Sequence, residues 1–121
     1  MQKISEAEME LMEIIWNHEN PMTSKEIMEF IPENQWKPTT VLTLLSRLME
    51  KGFLAAERKG RSHQYSWVVS EEEYKRQCGK SFLQKFYEGS AKNFFAALCD
   101  DGELNEKDLE ELREILRKKE D

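Results

Sequence analysis

The chain has little of what staples, anchors or catalyses. Two of its 121 residues are cysteine, Cys78 and Cys99, which excludes a disulfide framework, and no Cys/His cluster has zinc-ligand spacing. No apolar run approaches the roughly 20 residues that a membrane span needs. The opening MQKISEAEME has no apolar h-region, so no signal peptide is expected. These absences predict a soluble cytoplasmic protein in which both cysteines serve as small buried hydrophobes. There is no internal repeat and no low-complexity tract. No nucleophile–base pair, phosphate-cradling loop or metal cluster is legible, so neither an enzyme nor a cofactor or metal is expected. Positive charge is also short: the net charge is −6, which taken alone argues against nucleic acid.

What is present corrects that average. Residues 1–35 carry Lys3 and Lys25 against eight glutamates, a net of −6. Residues 36–69 carry Lys37, Arg47, Lys51, Arg58, Lys59 and Arg61 against Glu50 and Glu57, a net of +4. Residues 70–121 return to −4. One basic block sits between two acidic ones, and a local basic patch is what phosphate contact requires.

Helix signals dominate. Ser5-Glu-Ala-Glu8 is a capping box, followed by Met9, Met12, Ile15 and Trp16 at helical spacing, with Asn20-Pro21 as the stop. Thr23-Ser-Lys-Glu26 repeats the capping pattern before a short second helix with Ile27, Phe30 and Ile31, closed by Pro32. The stretch WKPTTVLTLLSRLMEKG predicts a third helix. Pro38 suits its first turn. Val41, Leu44, Leu45, Leu48 and Met49 form a core-facing stripe, and Gly52 fits the position after the end. Leu54 and Ala56, then Tyr65, Trp67 and Val69, alternate at strand period around Lys59-Gly60-Arg61-Ser62. This predicts a two-stranded β-hairpin with a basic tip.

A capping box at Ser70-Glu-Glu-Glu73 then opens a helix with Tyr74, Cys78, Phe82 and Phe86 at steps of four, flanked by Leu83 and Tyr87. A shorter helix follows with Phe94, Phe95 and Leu98, and a last one with Leu109, Leu112, Ile115 and Leu116. About 50 residues of aromatic-rich helix bury their apolar surface poorly alone, and isologous pairing of two such arms would cover it.

The expected fold is mainly α: an N-terminal winged helix-turn-helix, three helices plus a β-hairpin wing, followed by a helical dimerisation arm. The expected domains are residues 1–70 for DNA binding and 71–121 for dimerisation. In a winged helix the third helix enters the major groove and leads with its N-terminal residues. At 100° per residue, Thr39, Thr43, Ser46 and Glu50 lie opposite the leucine stripe, with Thr40 and Arg47 beside them, Glu50 being a misfit for DNA unless it lies at the far end from the groove. Threonine offers a hydroxyl to base edges and a methyl to thymine. Arg47, Lys59 and Arg61 are placed for phosphate, which fixes register more than sequence. His18 and His63 read as surface or packing residues, with His63 also placed in the wing for a phosphate. A winged-helix protein-interaction module without DNA contact is the alternative, motivated by the acidic balance. Cysteine-based sensing through Cys78 and Cys99 is a further reading of the arm.

The segments SEAEMELMEIIW, WKPTTVLTLLSRLMEKGFL, KGRSHQY, SFLQKFYEG and LEELREIL resemble the BlaI/MecI family of penicillinase repressors, over residues 4–118. The resemblance implies a homodimeric cytoplasmic repressor whose winged helices bind a palindromic double-stranded DNA operator, typically with TACA-type half-sites. It implies Thr39, Thr40 and Thr43 as base-proximal residues, supported by Arg47, Lys59 and Arg61. It implies Phe82, Leu83, Phe86, Phe94, Phe95, Leu112 and Leu116 as the dimerisation region. Thr39 and Leu42 depart from the lysine and the long polar residue that better-known members often carry, which points to a different operator preference. Resistance members are inactivated by a membrane sensor protease at an Asn-Phe bond. That bond corresponds here to Ala97-Leu98, with Asn93-Phe94 one turn earlier, which disfavours such a protease as partner. The end LRKKED lacks the cysteine cluster of copper-responsive relatives, which points away from copper control.

Overall fold

The structure is a computed structural model and describes residues 2–120; the outer ends of both expected domains, residues 1 and 121, lie outside the described residues. The element order is α1 (Glu6–Asn17), β1 (Met22–Thr23), α2 (Ser24–Met28), α3 (Pro38–Glu50), β2 (Leu54–Lys59), β3 (Ser62–Trp67), α4 (Glu71–Tyr87), α5 (Ala91–Asp100) and α6 (Glu106–Glu120). This is the mainly α winged-helix order. The chain divides into two compact units, Met1–Gln77 and Cys78–Asp121. The division falls beyond residue 70 because Tyr74, in the first turn of α4, belongs to the first unit's core.

Local chemistry sets the helix ends. The capping boxes at Ser5/Glu8 and Thr23/Glu26 both form, each satisfying backbone N–H groups that have no partner inside the helix. Helix α3 starts on Pro38 and ends in a Schellman motif: Gly52 N donates to Met49 O at 3.0 Å and Phe53 N to Leu48 O at 2.9 Å. Gly52 takes φ 87° there, a left-handed conformation that glycine adopts without Cβ strain. The turn delivers Phe53 into the core, where it and Leu48 are both fully buried.

The core of the first unit gathers Leu11, Met12 and Ile15 of α1, Ile27 of α2, Val41, Leu44, Leu45 and Leu48 of α3, and Leu54 and Tyr65 of the sheet. Tyr74 closes one side, with its ring edge-on to Phe53 at 5.4 Å and its hydroxyl accepting from Ile4 N at 3.1 Å. Trp16 Nε1 donates to Val69 O at 3.0 Å, so the chain leaving the wing is fastened to α1.

Four expectations need correction. The sheet has three strands rather than two: β1 pairs with β3 through Met22↔Tyr65 and Thr23↔Gln64, giving the order β1-β3-β2. The Asn20 side chain supports this strand, donating to Ile15 O and His18 O and accepting from Trp67 N. Helix α2 stops at Met28, so Phe30 falls in the turn beyond it and is 49% exposed. Met49 and Trp67 keep their periodic positions but are exposed. Cys78 and Cys99 are exposed in the single chain, because α5 and α6 bury no residue at all and α4 buries only Tyr74.

In the second unit, Phe82, Tyr87 and Phe94 pack as a ring cluster with centroids 5.3–5.9 Å apart. Phe86 and Phe95 stand at its edge, 5.1 Å from Phe82 and 5.7 Å from Phe94 respectively. No described helix is long and apolar enough to cross a membrane.

Candidate nucleic-acid interface

Helix α3 divides cleanly into two faces. Val41, Leu44, Leu45 and Leu48 are buried, while Thr39, Thr40, Leu42, Thr43, Ser46, Arg47 and Glu50 are exposed. A helix with one face spent on the core presents the other at an angle set by that packing, so the exposed set forms a fixed template. Thr43 Oγ1 donates to Thr39 O at 3.0 Å. That internal bond uses the hydroxyl hydrogen, orients the side chain, and leaves an oxygen lone pair and a methyl directed outward. Lys37 is the N-cap, makes no side-chain capping bond and is exposed.

The wing supplies the positive charge. Strands β2 and β3 pair from Leu54↔Trp67 to Lys59↔Ser62, leaving Gly60 and Arg61 as the turn, with Gly60 at φ 63°. Arg58 Nε donates to Gly60 O at 3.2 Å and braces the tip. His63 lies opposite Arg58 in the register. Arg58, Lys59, Arg61 and His63 are all exposed, and none is in an ion pair among the described residues. The charged groups of the tip are thus available to an anionic ligand.

The unit places Thr39, Thr40, Leu42, Thr43, Ser46 and Arg47 on one helix face, and Lys59, Arg61 and His63 on one hairpin tip. Lys37 and Arg58 belong with these two groups but were not in the expected site. Lys37 was legible as the residue before the N1 proline, where a helix N-terminus already favours anions. Arg58 was legible as the strand residue beside the turn.

A family model described as Penicillinase repressor matches residues 4–118. The chain belongs to the penicillinase repressor family. It is 34% identical over 117 residues to the methicillin resistance regulatory protein MecI of Staphylococcus aureus (strain N315), covering 97% of this chain and 95% of that protein. It is 34% identical over 114 residues to the penicillinase repressor of Bacillus licheniformis, covering 94% and 89%. Among solved structures, the DNA-binding domain of the repressor BlaI superposes with a TM-score of 0.52 at 36% identity, covering 61% of this chain and 94% of that one. The monomeric Bacillus licheniformis BlaI in complex with the blaP half-operator superposes with a TM-score of 0.50 at 35% identity, covering 60% and 89%. These likenesses are to repressors, not to enzymes.

Proposed function

We propose that this family member is a homodimeric, sequence-specific DNA-binding repressor that acts in the cytoplasm at a palindromic operator. The observation that carries the reading is the exposed face of α3, threonine-led and flanked by an unpaired basic wing tip, on a fold shared with an operator-bound relative. In this reading α3 enters the major groove of each half-site. Thr39, Thr40, Leu42 and Thr43 approach base edges, and Ser46, Arg47, Lys59, Arg61 and His63 contact the backbone, joined by Lys37 and Arg58. Short side chains at the leading turn permit close approach of the helix to the bases.

Residues 1–70 are the DNA-binding domain and residues 71–121 the dimerisation domain in this reading. The second unit supports pairing: Phe82, Phe86, Phe95, Ile115 and Leu116 are between 41% and 62% exposed, and exposed apolar side chains of that number are covered at low cost by a second copy of the same unit. Phe94, Leu83 and Leu112 are half-buried. Release by a membrane sensor protease is not part of the reading, because Ala97 and Leu98 stand where the family's Asn-Phe bond falls, and both are half-buried within α5.

The test is a fluorescence-anisotropy titration of the chain against its own promoter DNA and a shuffled duplex across a salt series. The expected result is at least a thousandfold preference, roughly 4 kcal/mol, with affinity falling steeply as salt rises. Equal binding to both duplexes at moderate salt would overturn the proposal.

A further inference from the structure

A groove between α1 and the turn after α2 has no part in the interface described above. It encloses about 350 Å³. Its floor is apolar, formed by Ile14, Ile31 and the half-exposed ring of Phe30. The Phe30 ring is held in place by stacking on His18 with centroids 3.8 Å apart, while His18 Nδ1 lies 2.7 Å from Ile14 O. Glu10 and Glu13 stand at the rim, three residues apart and so on one face of α1. Glu10 accepts a 2.6 Å hydrogen bond from Gln35 Nε2. Neither carboxylate is in an ion pair among the described residues.

An apolar floor beneath two unpaired carboxylates selects its occupant by charge. The surrounding residues 1–35 carry a net of −6, so nucleic acid and acidic lipid surfaces are repelled and cationic groups are drawn in. The groove is open along one side, whereas small-ligand pockets bury roughly 70–90% of their ligand. A chain segment lying across it gains contacts on both sides of the opening.

We propose that this groove docks a short basic segment of a partner protein. An aliphatic or aromatic side chain of that segment rests on Phe30 and Ile31, and a neighbouring lysine or arginine meets Glu10 and Glu13. None of the groove's residues lies on α3, β2 or β3, so the proposal is independent of the DNA-binding reading.

The probe is the peptide acetyl-Lys-Leu-Arg-Lys-amide, titrated into the full chain and followed by NMR. The expected shifts gather on Ile14, His18 and Phe30. Affinity is expected to fall about tenfold in Phe30→Ala and in the Glu10→Gln/Glu13→Gln pair, with core resonances of Ile15 and Leu45 unchanged. Glu13→Gln alone removes no internal side-chain hydrogen bond and serves where the others perturb folding; it is expected to weaken binding severalfold. Three results overturn the proposal. Shifts spread over all the glutamates, with equal affinity in every variant, mean diffuse charge attraction. Phenethylammonium binding as tightly as the peptide means a small-cation site. Self-association of the chain alone, seen by sedimentation and lost in Phe30→Ala, means that a second copy is the occupant.

Discussion

Lys51, the C-cap of α3, places its Nζ 2.5 Å from Oε1 of Glu8, a side chain only 2% exposed on α1. The same ammonium donates to Lys3 O at 2.9 Å, and Glu8 also accepts from Ser5 N at 2.9 Å. The end of α3 is therefore fastened to the N-terminal strap and the first turn of α1 at one point. Burial alone pushes the Glu8 carboxyl up, but the hydrogen bonds from Lys51 and Ser5 and the Lys51 charge together hold it below its usual 4.5. The unfolded chain thus takes up this proton before the folded one does. The stabilisation is complete above about pH 4.5 and is lost as pH falls through the lower, folded value. Breaking the pair by Lys51→Met should cost about 2–3 kcal/mol, less than for a fully buried pair because Lys51 is partly exposed. Urea melts at pH 7 and pH 3.5 check both points, with Glu8→Gln expected to flatten the acid limb. An unchanged midpoint in Lys51→Met would remove the pair from any account of stability.

Tyr74 makes a second such connection, through a hydroxyl. Tyr74→Phe keeps the ring against Phe53 and Trp16 but leaves the buried Ile4 N–H without its partner, at a cost of about 1–2 kcal/mol. Tyr74→Ala also removes the ring and should cost about 3–5 kcal/mol. Thermal unfolding separates the two. A Tyr74→Phe protein as stable as the parent would mean that the Ile4 amide finds water instead.

The sequence was readable wherever one residue's chemistry decides one local event. The capping boxes of α1 and α2, the N1 proline, Gly52 and the stripe Val41, Leu44, Leu45 and Leu48 of α3 each work within a turn or two, and each appears where its pattern placed it. What escaped depended on distant partners. Strand β1 has two residues and no alternation to detect; it exists because Tyr65 and Gln64 of β3 offer an edge and Asn20 braces the corner. Phe30 matched a helical stripe, yet α2 ends before reaching it. The cysteines looked like core residues because small apolar side chains usually are, but their helices bury almost nothing in a single chain. The exposure of Thr39, Thr40, Thr43, Ser46 and Arg47 on α3 was legible because it followed from the stripe opposite them. Lys37 and Arg58 were passed over because neither lies on the helix face or at the turn itself.

Within α3 and the wing, base contact and backbone contact should separate by their response to sequence and salt. Thr40→Ala is expected to cut discrimination between operator and shuffled duplex by about 1 kcal/mol or more, with little change in non-specific affinity. Arg61→Ala is expected to weaken both duplexes alike and to lower the slope of log affinity against log salt by about one. Anisotropy titrations at several salt concentrations measure both quantities. If Arg61→Ala left the slope untouched, the wing would not be reaching phosphate.

The second unit offers the sharpest test of assembly, because its uncovered residues are free to be changed without opening the unit's interior. Phe86 is 61% exposed and Leu116 is 62% exposed, so neither substitution removes much packing from the isolated chain. An aspartate at either position would cost little if the chain works alone. In a two-fold pair the same change is made twice on one self-complementary surface, and each carboxylate meets apolar surface or its own symmetry mate. Phe86→Asp should therefore weaken dimerisation by roughly 2 kcal/mol or more, shifting sedimentation toward monomer at micromolar concentration while circular dichroism stays near that of the parent. Binding to a full palindrome should fall to that of a half-site, because two linked half-site contacts become two separate ones. A variant that still sediments as a dimer, with full operator affinity, would show that pairing uses another face.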